Sequence, residues 1–148
     1  LLRKAERPRL AFTTSTSVLE PAARLGAYQA SKFAVWGLAE TLRLELAGEV
    51  EVTVVFPSGM MSRHLESSAD AQPDHLRREV VSDEDLEVMM ASNPTMASAI
   101  ATPEDAAGPS VEAVLSGQPY VITHGDLTAA IAERDDDLRQ AAEAARDR

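Results

Sequence analysis

Residues 49–57 read EVEVTVVFP, and they limit the chain's folding options more than any other stretch. Val50, Val52 and Val54 alternate with polar residues, which is the period of a strand. The stretch then closes on an unbroken Val54-Val55-Phe56 run. An apolar run at the end of a strand predicts burial on both faces, as in a parallel sheet covered by helices. Parallel neighbours need long crossover connections, so helices must flank this strand in sequence.

The flanking sequence supplies them. Residues 9–15, RLAFTTS, read as a short strand running into a polar turn. Residues 15–26, STSVLEPAARLG, read as loop, broken by Pro21 and Gly26. Over 27–47, Ala30, Phe33, Ala34, Leu38, Thr41, Leu42 and Leu46 recur at helical steps, and Gly48 is a fitting stop. A polar loop with Met60 and Met61 at its start follows, then a charged helix over 75–91 and a break at Pro94. Thr102-Pro103-Glu104-Asp105 opens the next helix: a good N-cap, a proline at the first helical position and an acid placed for a capping box. That helix ends near Gly117; PYVITHG predicts a third strand and the segment from Thr128 a last helix. Strand, helix, strand, helices, strand, helix is the rhythm of an α/β fold with a parallel sheet, and such sheets place ligands at the carboxyl ends of their strands. The 148 residues suit a single domain.

The net charge of −10, from 24 acidic and 14 basic residues, argues against a general electrostatic attraction to nucleic acid or to an anionic membrane. No apolar run approaches the roughly 18 residues of a membrane span, and LLRKAERPRL lacks the apolar core of a signal peptide. There is no cysteine, hence no disulfide and no thiolate chemistry. A reducing compartment, the cytoplasm, is expected. His64, His75 and His124 are scattered without ligand spacing, so no metal site is expected. Asp135-Asp136-Asp137 reads as a solvated helix face, Trp36 as a packing residue and Arg63 as a surface arginine.

One pair carries chemistry. Tyr28 and Lys32 lie one helical turn apart and can face one site. An unperturbed tyrosine titrates near ~10, and a neighbouring ammonium favours its phenolate, which brings a phenol toward work as a general acid or base. Such pairs also arise by chance on helices. Here the pair opens a helix directly after a glycine-containing loop, and Ser15 ends the strand just upstream.

Three stretches, LAFTTS, YQASKFAVWGLAETLRLEL and VEVTVVFPSGMMS, resemble in order and spacing the C-terminal half of a short-chain dehydrogenase/reductase. They stand for the family's strand with the catalytic serine, its Tyr-x-x-x-Lys helix, and the strand and turn that follow. The resemblance covers residues 9–62. It implies a Rossmann-like parallel sheet, the C-terminal part of a doubly wound NAD(P)-binding fold, with residues 1–148 as one partial domain. It implies that Tyr28 exchanges a proton with a carbonyl or alcohol oxygen. Lys32 favours the phenolate and bonds the nicotinamide ribose, and Ser15 bonds the substrate oxygen. Thr13, Pro57, Ser58, Met60 and Ser62 would line the nicotinamide end of NAD or NADP. Ser58 stands where the family usually has glycine, with Gly59 one place later. The family's glycine-rich phosphate turn does not occur among the seven glycines here, so residues 1–148 are expected to be a fragment that binds the dinucleotide weakly by itself. The substrate would be a small carbonyl or alcohol, and the complete protein a homo-oligomer. Met60, Met61, Met89, Met90 and Met96 fall where the family places its substrate lid, and His64 at its edge or in a solvated loop. A reading from another class is a non-catalytic α/β module that acts through association.

Overall fold

A computed structural model of the chain describes residues 2–76, 81–146 and 148. Its centre is the strand anticipated from the valine run. Glu51–Phe56 (β2) buries every residue from Val52 to Phe56, so both of its faces are covered. Each fully buried Val or Phe side chain contributes about 1.5–3 kcal/mol. Arg9–Thr13 (β1) and Tyr120–Ile122 (β3) pair with β2 on either side, both parallel, giving the order β1-β2-β3.

Side-chain alternation assigns the layers. Leu10, Phe12, Val52, Val54 and Phe56 point to one face, where they meet Val18, Ala39, Trp36, Leu127 and Ile131. Gly26–Glu45 (α1) and Thr128–Arg146 (α6) supply that layer. Ala11, Thr13 and Val55 point to the other face, against Pro103–Ser116 (α5). The expected parallel α/β arrangement with helices on both faces is the observed one.

The helix signals held locally. Thr102 caps α5 in a capping box with Asp105, and Gly117 closes it in the left-handed region at φ 74°. Four differences from the sequence expectation stand out. His64–Asp70 (α2) is a short helix where loop was expected. Pro94 does break a helix, but it also starts one: Asp83–Ser92 (α3) ends at Asn93, whose side chain caps Pro94–Ser98 (α4). The charged helix expected over 75–91 is observed only from Asp83; its part at 77–80 lies outside the described residues.

The fourth difference concerns α1. Most of the apolar series that marks it as a helix does not lie on the sheet; only its members Leu42 and Leu46 do. Ala30, Phe33, Ala34, Leu38 and Thr41 are exposed, whereas Ala39 is fully buried and Val35, Trp36, Leu42 and Leu46 are half-buried. Trp36 meets Phe56 edge-on at 5.3 Å, as a packing residue should. Polar groups complete the inner face. Glu40 accepts from Trp36 Nε1 at 2.9 Å, from Arg43 at 2.6 Å and from the Tyr120 hydroxyl at 3.0 Å. Arg43 also donates to the Pro119 carbonyl at 3.0 Å, tying α1 to the start of β3.

The capping box makes the chain's stability depend on acid. The Thr102 hydroxyl donates to the Asp105 carboxylate at 2.7 Å and, with the Thr102 backbone N–H, holds Asp105 below its ordinary value of 3.8. A carboxyl lowered in the folded state stabilises above its unfolded pKa, and that contribution is lost as pH falls through the folded value. Thr102→Ala is therefore expected to destabilise the complete protein at about pH 7 and to differ less from wild type at an acid pH below the folded value of Asp105. Urea midpoints at the two pH values measure this.

Candidate active site

The backbone ladder between β1 and β2 continues past the strands. Thr14 N donates to the Val55 carbonyl and Thr16 N to the Pro57 carbonyl, each at 2.9 Å. The carboxyl ends of both strands therefore stay side by side, where a parallel sheet presents ligand-binding groups. Thr14 is 2% exposed, and its hydroxyl donates to the Lys32 carbonyl at 2.9 Å, which sets α1 against the end of β1. Sequence reading passed over Thr14, because its role lies in a bond to a residue far along the chain.

Ser15 follows in extended backbone and caps the 3-10 turn Thr16–Val18, its Oγ accepting from Ser17 N at 3.2 Å. That use leaves the hydroxyl proton free to donate. Gln29 donates from its side chain to the Ser17 carbonyl at 2.9 Å, so the first turn of α1 is tied to the same 3-10 turn. Tyr28 lies in that first turn. Lys32 lies one turn on, its Nζ 5.6 Å from the Tyr28 ring centroid and 3.5 Å from the Thr13 carbonyl it donates to. The fold thus brings Thr13, Tyr28 and Lys32 together, with Ser15 tethered beside them through Ser17 and Gln29.

The second wall is the turn after β2. Pro57, Ser58, Gly59 and Met60 are half-buried there, while Ser62 is exposed beyond it. Met60 bridges Ala101: Ala101 N donates to the Gly59 carbonyl and Met61 N to the Ala101 carbonyl, each at 3.0 Å. Glycine at 59 has a packing reason, since a Cβ there would stand 3.0 Å from the Met96 carbonyl oxygen. The Ser58 hydroxyl is buried, with no hydrogen-bond partner among the described residues. His124 reaches the same turn from the end of β3, with Nε2 2.8 Å from the Gly59 carbonyl. Nothing in its local sequence signalled this contact.

Above the site, α3 and α4 hang on the loop before Tyr28. Asn93, 2% exposed, donates to the Glu20 carbonyl at 2.5 Å, Thr95 N donates to the Glu20 carboxylate at 3.2 Å, and Ala23 N donates to the Ser92 hydroxyl at 2.8 Å. His64, exposed on α2, packs edge-on against Tyr28 at 6.1 Å between ring centroids. Arg63 pairs with Glu66 at 2.9 Å on the surface, and Asp136 pairs with Arg139 at 2.9 Å on α6.

Comparison with known proteins gives this arrangement its class. The short chain dehydrogenase family model matches residues 1–73. A short chain dehydrogenase/reductase from Burkholderia phymatum, solved in complex with NAD, superposes with a TM-score of 0.75 at 26% identity, over 95% of this chain and 51% of that one. A short-chain dehydrogenase/reductase from Vibrio parahaemolyticus is 25% identical over 67% of this chain and 44% of its own, with a TM-score of 0.37. No curated protein matches. The chain is similar in sequence to the short chain dehydrogenase family over residues 1–73, and over nearly its whole length it has the fold of a short-chain dehydrogenase/reductase. It spans about half the length of the Burkholderia phymatum protein.

The crowding at Gly59 generates a test. Gly59→Ala is expected to force α4 away from the turn after β2 and to cost about 1–3 kcal/mol, the usual penalty of overpacking. Chemical denaturation of the complete protein measures the loss; an unchanged midpoint would show that Met96 yields freely.

Proposed function

We propose that the complete protein containing this chain is an NAD(P)-dependent oxidoreductase of the carbonyl reductase or alcohol dehydrogenase type, and that residues 1–148 form its catalytic and nicotinamide-facing part. The observation that carries this reading is the convergence of Tyr28, Lys32 and the Thr13 carbonyl at the carboxyl end of β1. The residues present fit a nicotinamide riboside. Lys32 Nζ makes one long contact, at 3.5 Å, and so has donors to spare for ribose hydroxyls. The buried Ser58 hydroxyl has polar capacity unused by the described residues. Pro57 and Met60 offer apolar surface beside it.

Bound there, the nicotinamide would supply or accept the hydride. This chain's residues would do the rest. Tyr28 would give its phenolic proton to the carbonyl oxygen in reduction and take it back in oxidation. The Lys32 ammonium, held beside the ring, would favour the ionised phenol that this exchange leaves behind. Ser15 would donate its free proton to the substrate oxygen and orient it toward Tyr28. Thr13, Ser58, Gly59 and Ser62 would shape the cofactor side of the pocket.

Tyr28→Phe tests the assignment, because it keeps the ring and removes only the proton. In the complete protein, assayed with NADH and NADPH against a panel of aldehydes and ketones, it is expected to lower kcat by about 10²–10⁴-fold with its fold intact. Turnover near that of wild type would assign the proton to another group.

The outward face of α1 supports a homo-oligomer. Phe33 and Leu38, 45% and 53% exposed, lie on it with Ala30, Ala34, Gly37 and Thr41, and it carries no charge over these turns. On a chain of net charge −10, an uncharged stripe is where two copies can approach without repulsion. Leu38→Glu is expected to lower the sedimenting mass of the complete protein; an unchanged mass would place the contact elsewhere.

A further inference from the structure

The proton transfer described for Tyr28 leaves His124 unused, yet its ring hydrogen-bonds the turn after β2. Its Nε2 lies 2.8 Å from the Gly59 carbonyl oxygen and its Nδ1 lies 2.7 Å from the Thr123 hydroxyl. A carbonyl oxygen only accepts, so Nε2 carries a proton. In the neutral ring Nδ1 then accepts from Thr123, and both ring nitrogens are satisfied within the fold. The same Gly59 oxygen also accepts from Ala101 N at 3.0 Å. Two donors, one from the end of β3 and one from the segment before α5, thus converge on one carbonyl. A carbonyl that receives both is fixed in direction as well as in place.

Position makes this more than a structural tie. Gly59 lies between Ser58 and Met60, and the orientation of its peptide sets where both neighbours point. Gly59 is also tightly packed, with the Met96 carbonyl oxygen 3.0 Å from where a Cβ would stand. We propose that His124 is a positioning residue for the nicotinamide-facing turn: by donating from Nε2 to the Gly59 carbonyl it holds Pro57, Ser58 and Met60 in the conformation that receives the cofactor. The proposal rests on the nicotinamide reading for its functional meaning. His124 itself touches neither cofactor nor substrate and acts through Gly59. The role asks for a ring N–H at the reach of Nε2, which glutamine approximates and phenylalanine lacks.

The test uses the complete protein with His124→Phe and His124→Gln, each titrated with NADH and NADPH. His124→Phe is expected to raise KM for the cofactor about tenfold, the worth of one directed hydrogen bond, while kcat at saturating cofactor stays within about threefold of wild type. His124→Gln is expected to return KM to within about threefold of wild type. A KM for His124→Phe within about twofold of wild type, or a glutamine variant as impaired as the phenylalanine one, overturns the proposal. If wild type shows no nicotinamide-dependent turnover, the functional reading fails by itself, and the clamp is read from amide exchange. The Ala101 and Met61 amides should then exchange faster in His124→Phe and at the wild-type rate in His124→Gln; equal rates in all three overturn the clamp. Should His124→Phe not fold, the ¹⁵N spectrum of wild-type His124 decides: a proton on Nε2 is expected, and a ring protonated only at Nδ1 overturns the proposal.

Discussion

The structure depends on one ladder, the parallel pairing of β1 with β2, and above all on its extension beyond the strands. Within the sheet the ladder sets Arg9 opposite Glu51 and Thr13 opposite Val55. Past Thr13 it continues through Thr14 to Val55 and Thr16 to Pro57. Those last two bonds hold the segment bearing Ser15 against the turn bearing Pro57 and Ser58. A slip of one residue would exchange the two buried faces of β2, sending Val52, Val54 and Phe56 toward α5 and Thr53 and Val55 toward α1. Register in the core therefore fixes alignment at the site.

Each wall of the site is then fastened by a small number of polar bonds. On the α1 side, the buried Thr14 hydroxyl holds the Lys32 carbonyl, and Gln29 holds the 3-10 turn after Ser15. On the β2 side, Ala101 N and His124 hold the Gly59 carbonyl. These bonds reach across long sequence separations and lie in half-buried surroundings, where an unmade bond is costly.

The helices above the site follow a different rule. α3 and α4 contribute no residue to the buried core cluster and are tied down through Glu20, Asn93 and Thr95. Asn93 serves twice, donating to Glu20 and accepting from Met96 N to start α4. The loop that holds them through Glu20 also leads into Tyr28, and a second tie runs from the Thr95 hydroxyl to the Asp126 carbonyl at 3.3 Å.

Much of this was legible in the sequence, for local reasons. The valine run announced a doubly buried strand, Thr102-Pro103-Glu104-Asp105 announced a helix start, and Gly117 its end, because each pattern acts on neighbours a few residues away. The resemblance to short-chain dehydrogenases was legible too, in the order of LAFTTS, YQASK and the FPSGMMS turn. Four things only the tertiary structure decided. The α1 face that meets the sheet is the one with Val35, Trp36 and Ala39, while the more regular apolar series at Phe33 and Leu38 points outward. Periodicity reveals that a face exists, but what covers it depends on which elements arrive there. Residues 64–70 form a helix although they lack an apolar period. Pro94 opens a helix because Asn93, buried against Glu20, is placed to cap it. His124 gained its meaning only when parallel pairing of β3 with β2 carried it to the Gly59 carbonyl. Sequence determines what each segment can become from its own side chains; contacts between segments far apart in the chain exist only after packing has chosen which of them meet.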